Sequence, residues 1–245
     1  MARGLLAGVF AAGTSVDRMG DMIEFASNGS TGQGYLAVAP RHGPGVIVIQ
    51  EWWGLVPHIR DVCDRFAEAG FTALAPDLYR GEVTTEPDEA GKLMMALNLD
   101  RAAKDMSGAI DALVAHRSVT STGVGVVGFC MGGGLALKLA CARPDAVLAC
   151  APFYGLIPWA GAQPDWNQIS CPVRGHYAEL DAFYGPAAVA DLQDSLNAAG
   201  KDARLRIHAG VDHAFFNDTR PEVYSADAAT EAWNETVELF RSAVR

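Results

Sequence analysis

The segment Gly128-Phe129-Cys130-Met131-Gly132 closes the apolar run Val124-Gly125-Val126-Val127 and has the form Gly-x-Cys-x-Gly. This is the spacing of a nucleophile elbow that carries a thiol in place of a hydroxyl. On such a sharp strand-to-helix turn the nucleophile sits at strained backbone angles, and glycines at 128 and 132 remove the β-carbons that would collide with it. The first amides of the following helix then point at the reacting centre, a geometry suited to acyl transfer. Taken alone, the same residues also describe a small buried cysteine on a helix that leaves a Gly-rich turn.

An elbow enzyme needs an orienting acid and then a base downstream, in the order nucleophile, Asp or Glu, His. Asp181 lies where the strand pattern Val173–Ala178 runs into a loop, and His213 lies after the strand pattern Ala203–His208. In an open parallel sheet the carboxyl ends of the strands gather along one edge, so residues far apart in sequence can converge there. Glu179 and Asp212 compete for the acid's place; the motif position favours Asp181. His42, His58, His116, His176 and His208 lack the elbow-enzyme position and read as surface or core histidines. Cys63, Cys141, Cys150 and Cys171 fall at ordinary buried-thiol sites.

Gln50-Glu51-Trp52-Trp53-Gly54 puts a carboxylate and two indoles after the fully apolar strand Val46-Ile47-Val48-Ile49. An elbow hydrolase draws its second oxyanion amide from the loop after this strand. Glu51 either hydrogen-bonds the loop or sits near Cys130 and tunes the thiol. A free thiol titrates near about 8.5; a nearby imidazolium lowers that value and a carboxylate raises it. Glu51 and His213 would therefore pull in opposite directions.

The elements that must position these groups alternate. Strand patterns fall near residues 22–27, 34–39, 45–50, 71–76, 123–128, 146–152, 172–178 and 203–208, and helical periods fill the gaps. Ile59, Val62, Cys63 and Phe66 share one helical face; Met106, Ile110, Leu113 and Val114 another; Trp233, Val237, Phe240 and Val244 a third. Strands apolar on both faces require helices on both sides of the sheet. Residues 83–100 read as a polar lead into a Met/Leu-rich segment, a lid or a long helix. The predicted class is α/β, with a mostly parallel central sheet and helices on both faces.

The chain has 245 residues, half of them hydrophobic, and a formal net charge of −10. That length suits one domain over residues 21–245, and the acidity disfavours nucleic acid. Five cysteines without a Cys-x-x-Cys or a Cys/His cluster argue against a disulfide framework and a metal site. A reducing, cytoplasmic setting is expected. Residues 1–20 form an N-terminal extension with a faint signal-peptide outline, too short to span a bilayer. A nucleotide-binding reading of the alternating pattern fails, because Glu51-Trp52-Trp53 follows the strand where a phosphate loop should stand.

Gln50-Glu51-Trp52-Trp53-Gly54, Pro76-Asp77-Leu78-Tyr79, Gly128-Phe129-Cys130-Met131-Gly132-Gly133 and His213-Ala214-Phe215-Phe216-Asn217-Asp218 together resemble the dienelactone hydrolase (carboxymethylenebutenolidase) family. The resemblance runs from about residue 20 to the C-terminus. It implies the α/β-hydrolase fold, a triad of Cys130, His213 and Asp181, a family glutamate at Glu51, and oxyanion amides from Met131 and Trp52. It further implies hydrolysis of a small lactone or ester, in the breakdown of aromatic compounds, without a cofactor, by a monomer or small homo-oligomer. The family suggests a thiol that rests neutral until substrate displaces Glu51. Arg80 and Arg220 are candidates for a substrate carboxylate, although the arginine after the His213 motif stands later than in the best-known members and Asn217 intervenes. Trp52, Trp53, Tyr79, Phe153, Tyr154 and Phe215 would make a pocket for a flat, unsaturated ring. A carboxylesterase of different specificity, or a non-catalytic binding protein of the same fold, are the alternatives.

Overall fold

A computed structural model of the protein describes residues 20–159 and 161–245. The signal-like outline and nearly all of the expected N-terminal extension lie outside the described residues. The chain runs β1 (Gly20–Ser27), β2 (Ser30–Ala37), β3 (Gly43–Ile49), α1 (Pro57–Glu68), β4 (Thr72–Pro76), α2 (Pro87–Ala96), α3 (Leu99–Val114), β5 (Val119–Phe129), α4 (Met131–Ala142), β6 (Val147–Phe153), β7 (Val173–Ala178), α5 (Pro186–Ala198), β8 (Ala203–His208) and α6 (Ala226–Ala243).

The strands form one eight-stranded sheet in the order β1-β2-β4-β3-β5-β6-β7-β8. Pairing is antiparallel between β1, β2 and β4 and parallel from β4 through β8. Side chains alternate across each strand, so one strand feeds two cores. Ile47 and Ile49 pack with Met106, Ile110 and Leu135 of α3 and α4, whereas Val46 and Val48 pack with Ile59, Phe66 and Phe240 of α1 and α6. The three apolar faces read from the sequence thus divide between the two sides: α1 and α6 on one, α3 on the other. Residues 83–100 are a loop, the short helix α2 and the start of α3. This is the α/β-hydrolase arrangement.

Its consequence for chemistry is positional. β3, β5, β6, β7 and β8 all end at the same edge, and the residues just beyond them are Glu51, Cys130, Tyr154, Asp181 and the loop leading to His213. β3 borders β5, which puts Glu51 beside the elbow. His213 follows β8, three places from β5, so its loop must lean back across β7. Backbone bonds from Glu179 N to His208 O (3.0 Å) and from Leu180 N to Val211 O (2.9 Å) fasten it there. No helix among the described residues is long and apolar enough to cross a membrane.

Candidate active site

Cys130 joins β5 to α4 at φ 54° and ψ −119°. A side-chain-bearing residue occupies this region only when its surroundings over-determine it. Here the restraints are visible: Cys130 N donates to Phe153 O at 3.1 Å, and Cys130 O accepts from Gly133 N at 2.9 Å. The turn is so tight that a β-carbon on Gly128 would stand 2.0 Å from Gly132 O, and one on Gly132 would stand 2.4 Å from Ile49 O. A third glycine serves the same purpose from β6's side, since a β-carbon on Gly155 would stand 1.8 Å from Cys130 O. Gly155 belongs to no motif at the elbow, and only the parallel pairing of β5 with β6 brings it there.

The Cys130 side chain is half-buried, not walled into the core. The ring of His213 stands near enough for the two to influence each other, and its Nδ1 lies 2.7 Å from Asp181 Oδ2. Burial disfavours charge on this ring, but the hydrogen bonds with Asp181 and Cys130 outweigh it and raise the pKa to about 10. Asp181 is buried; burial alone would push its carboxyl up, yet the hydrogen bond and charge of His213 hold it below its ordinary value. Its Oδ1 accepts the amides of Phe183 (2.8 Å) and Tyr184 (3.0 Å), so both carboxylate oxygens are occupied and the imidazole orientation is fixed.

The competing acids have other partners. Glu179 accepts the amide of Gly210 at 2.7 Å and braces the loop, while Asp212 accepts the amide of His213 itself at 2.6 Å. Ala214, next to His213, is held at φ 65°, and its carbonyl accepts the Asn217 amide at 2.9 Å. That turn sends Asn217 inward. Its Nδ2 donates to Glu51 Oε2 at 3.1 Å, with its own Oδ1 fixed by Thr219 N (3.1 Å) and Thr219 Oγ1 (2.6 Å). Glu51 is buried and tied to Asn217.

Trp52 lies in the loop after β3, and Met131 opens the helix α4 after the elbow. Among the described residues neither amide is taken by a backbone or side-chain acceptor. The α4 N-terminus adds its aligned dipoles on the same side. Tyr79 is buried under Met131 and donates to Met131 Sδ at 3.3 Å. Its loop is shaped by Asp77, whose carboxylate accepts the amides of Tyr79 (3.1 Å) and Gly81 (2.6 Å).

Two residues expected to touch substrate have other partners in the structure. Arg80 is a structural tie: its guanidinium bonds both oxygens of buried Asp105, at 3.1 and 3.0 Å, and the Thr31 carbonyl at 2.9 Å, which commits it to β2 and α3. Phe215 is fully buried against Tyr154 and His208, because the turn at Ala214 points it into the α1–α6 core. Phe153 is buried in the same core. Arg220 stays near the site, close enough to act on Tyr154, with Nε paired to Glu222 at 2.9 Å. Burial, then the carboxylate of Glu51 and the Cys130 sulfur, push the Tyr154 hydroxyl well above its ordinary value. Around the His213 ring stand Tyr154 (5.2 Å between centroids), Phe183 (5.3 Å) and Tyr184 (6.4 Å). Phe183 and Tyr184 carry no motif; their adjacency to Asp181 was the only signal.

Among the described residues no group of three or more His, Cys, Asp or Glu side chains could hold a metal ion.

The model of the dienelactone hydrolase family matches residues 33–244. The chain is 40% identical over 229 residues to "Protein usf" of Aquifex pyrophilus, covering 91% of this chain and 98% of that one. It is 36% identical over 230 residues to a "Putative carboxymethylenebutenolidase" of Aquifex aeolicus, covering 91% and 99%. The crystal structure of dienelactone hydrolase from Anabaena variabilis, 22% identical, superposes with a TM-score of 0.69 over 92% of this chain and 98% of that chain, a likeness of fold.

Proposed function

This chain belongs to the dienelactone hydrolase family, and from that premise we propose that it opens dienelactone-type or related activated lactones and esters, with Cys130 as nucleophile, His213 as acid and base, and Asp181 as the orienting acid. The observation that carries the reading is one ring with two partners. His213 Nδ1 is 2.7 Å from a buried carboxylate, and the ring lies within electrostatic reach of a sulfur on a left-handed elbow.

In the attacking form the sulfur is a thiolate and His213 carries the proton. The sulfur's electron pair forms a bond to the carbonyl carbon, and the carbonyl oxygen takes the negative charge. The amides of Trp52 and Met131 face that oxygen, each donor contributing on the order of 3 kcal/mol in comparable enzymes. Collapse breaks the carbon–oxygen bond, and the imidazolium gives its proton to the departing oxygen. The neutral ring then takes a proton from water, whose oxygen adds to the thioester. Breaking the carbon–sulfur bond releases the acid and restores the thiolate and imidazolium. Asp181 holds the ring and stabilises its charge without taking the proton. Because a thiolate leaves readily, the first tetrahedral adduct of an amide would revert, so esters and lactones with good leaving groups are the substrates. Glu51, held by Asn217, is the group that substrate would displace on entry.

Initial rates on cis- and trans-dienelactone and on p-nitrophenyl acetate, for wild type, Cys130→Ala and Cys130→Ser, test this. Turnover abolished in Cys130→Ala supports the reading, and turnover retained there defeats it. Ester hydrolysis without dienelactone turnover keeps the chemistry and moves the substrate to a broader carboxylesterase class, a reading favoured by the commitment of Arg80 to Asp105.

A further inference from the structure

His58 is the second residue of α1, and its side chain is 1% exposed. Neither ring nitrogen has a hydrogen-bond partner among the described residues. A buried polar group in that state calls for a reason. Packing alone holds the ring: Phe129, one residue before the nucleophile, and Phe216, one residue before Asn217, lie edge-on to it at 6.4 and 6.3 Å between centroids.

The charges that face the ring come from Glu51 after β3, from Asp61 and Arg65 on α1, and from Asp218 on the loop after β8. Burial outweighs them and keeps the ring below its ordinary pKa, and the positive end of the α1 dipole works in the same direction. At neutral pH it is a neutral imidazole with one N–H to give. Among the acids Glu51 acts on it most strongly, ahead of Asp218, whose Oδ1 stands 3.5 Å from Nδ1 and whose other oxygen is engaged by Arg65.

Substrate that displaces Glu51 moves a carboxylate within a dry region, where losing its Asn217 bond without a replacement is costly. Two other buried donors near it serve less well. Gln50 turns its side chain toward the loop after β4, where Oε1 accepts the Leu78 amide at 3.1 Å. The Tyr154 hydroxyl feels the Cys130 sulfur as well as Glu51, and so lies on the side that the reacting atoms occupy. His58 is the donor left on the α1 side.

Resting on the hydrolase reading above, we propose that His58 is a positioning residue for Glu51: when substrate displaces the carboxylate, its hydrogen bond to Asn217 is exchanged for one from the His58 imidazole. No proton changes hands. The exchange gives the displaced acid a partner and leaves the space in front of Cys130 to the substrate.

The test measures kcat/KM on p-nitrophenyl acetate beside the rate at which iodoacetamide alkylates Cys130 in ligand-free protein. His58→Phe keeps a buried ring and removes the N–H; it should lower kcat/KM by about tenfold. His58→Gln restores a donor and should stay within about threefold of wild type. In a Glu51→Gln background, where no charge needs a partner, His58→Phe should change kcat/KM by less than about twofold. Alkylation in His58→Phe should remain within about twofold of wild type, because Asn217 holds the resting carboxylate. Full turnover in His58→Phe, an equal loss in His58→Gln, the same tenfold loss in the Glu51→Gln background, or an alkylation rate that falls with turnover each overturns the proposal. A wild type that hydrolyses no ester would instead defeat the hydrolase reading, and this inference with it.

Discussion

The side-chain amide of Asn217 holds the buried carboxylate of Glu51 at 3.1 Å, so the acid that follows β3 is tethered by an uncharged partner from the loop that carries His213. The two loops that flank the nucleophile are thus coupled through one hydrogen bond. Asn217→Ala leaves the carboxylate unpaired in a dry site and should cost about 1–3 kcal/mol in urea unfolding. Asn217→Asp sets two carboxylates face to face and should cost more, with the excess loss recovered as the pH falls and one of them takes a proton. An Asn217→Asp protein as stable as wild type at pH 8 would show that the tether carries no weight.

Asp181 has both oxygens occupied, by His213 and by the amides of Phe183 and Tyr184. Asp181→Asn should keep the loop but offer the ring the wrong partner, and kcat for an activated ester should drop by about 10⁴. A loss below about tenfold would remove Asp181 from the proposed triad.

Arg80 pairs with both oxygens of Asp105, whose side chain is nearly inaccessible, while the arginine side chain is 37% exposed. Removing the guanidinium strands a buried carboxylate that Ser27 Oγ still contacts at 2.5 Å. Arg80→Ala should lower stability by about 2 kcal/mol, less than for a fully buried pair because water reaches the arginine. KM for a carboxylate-bearing substrate should stay within about twofold, as a residue outside the site requires. A large rise in KM at unchanged stability would return Arg80 to the substrate.

Two histidines give stability opposite slopes with pH. His176, buried 3.3 Å from His208, is pushed down to about 3 by burial, then by the charge of His208 and Arg206. The unfolded chain binds a proton there near 6.5 that the folded chain refuses, so stability is present above 6.5 and is lost as pH falls from 6.5 toward 3. His213, raised to about 10, behaves inversely: its contribution is full below 6.5 and is lost as pH rises through about 10. Chemical unfolding between pH 4 and 10 should show a maximum, with each limb approaching about 1.4 kcal/mol per pH unit for its one proton. His176→Phe should flatten the acid limb alone. If its acid limb matches wild type, the buried pair is not the cause.

Gly155 is the least obvious of the constraints on the elbow. With a β-carbon 1.8 Å from Cys130 O, Gly155→Ala must displace the nucleophile's backbone. The expected result is a loss of about 3 kcal/mol with activity lost even where the protein stays folded. Normal activity in a folded Gly155→Ala protein would show that the elbow has room to move.

The order of elements was legible because it rests on local periodicity. Val46–Ile49 and Val124–Val127 are apolar on both faces, which no half-exposed strand allows, and the helical faces led by Ile59 and Met106 repeat at the spacing of a buried stripe. The elbow glycine at 128 could be recognised because its steric demand, from Gly132 O, acts within four residues, and the one at 132 because it completes the Gly-x-Cys-x-Gly spacing. Gly155 could not, since its demand comes from a neighbouring strand.

The same division runs through the site. Residue types and chain order determined by themselves that a thiol, an acid and an imidazole stand after three strand ends, because backbone chemistry and hydrophobic patterning are short-range. Which donor meets which acceptor is decided over distances that span the fold, and only tertiary structure settled it. Arg80 reads as a free cation until α3 brings Asp105 to it, and Phe215 reads as a pocket residue until the turn at Ala214 buries it. Phe183 meets Trp52 only where the loop after β7 comes up against the loop after β3. Sequence spacing fixes which side of an element a residue occupies; the packing of the sheet's edge fixes what it faces.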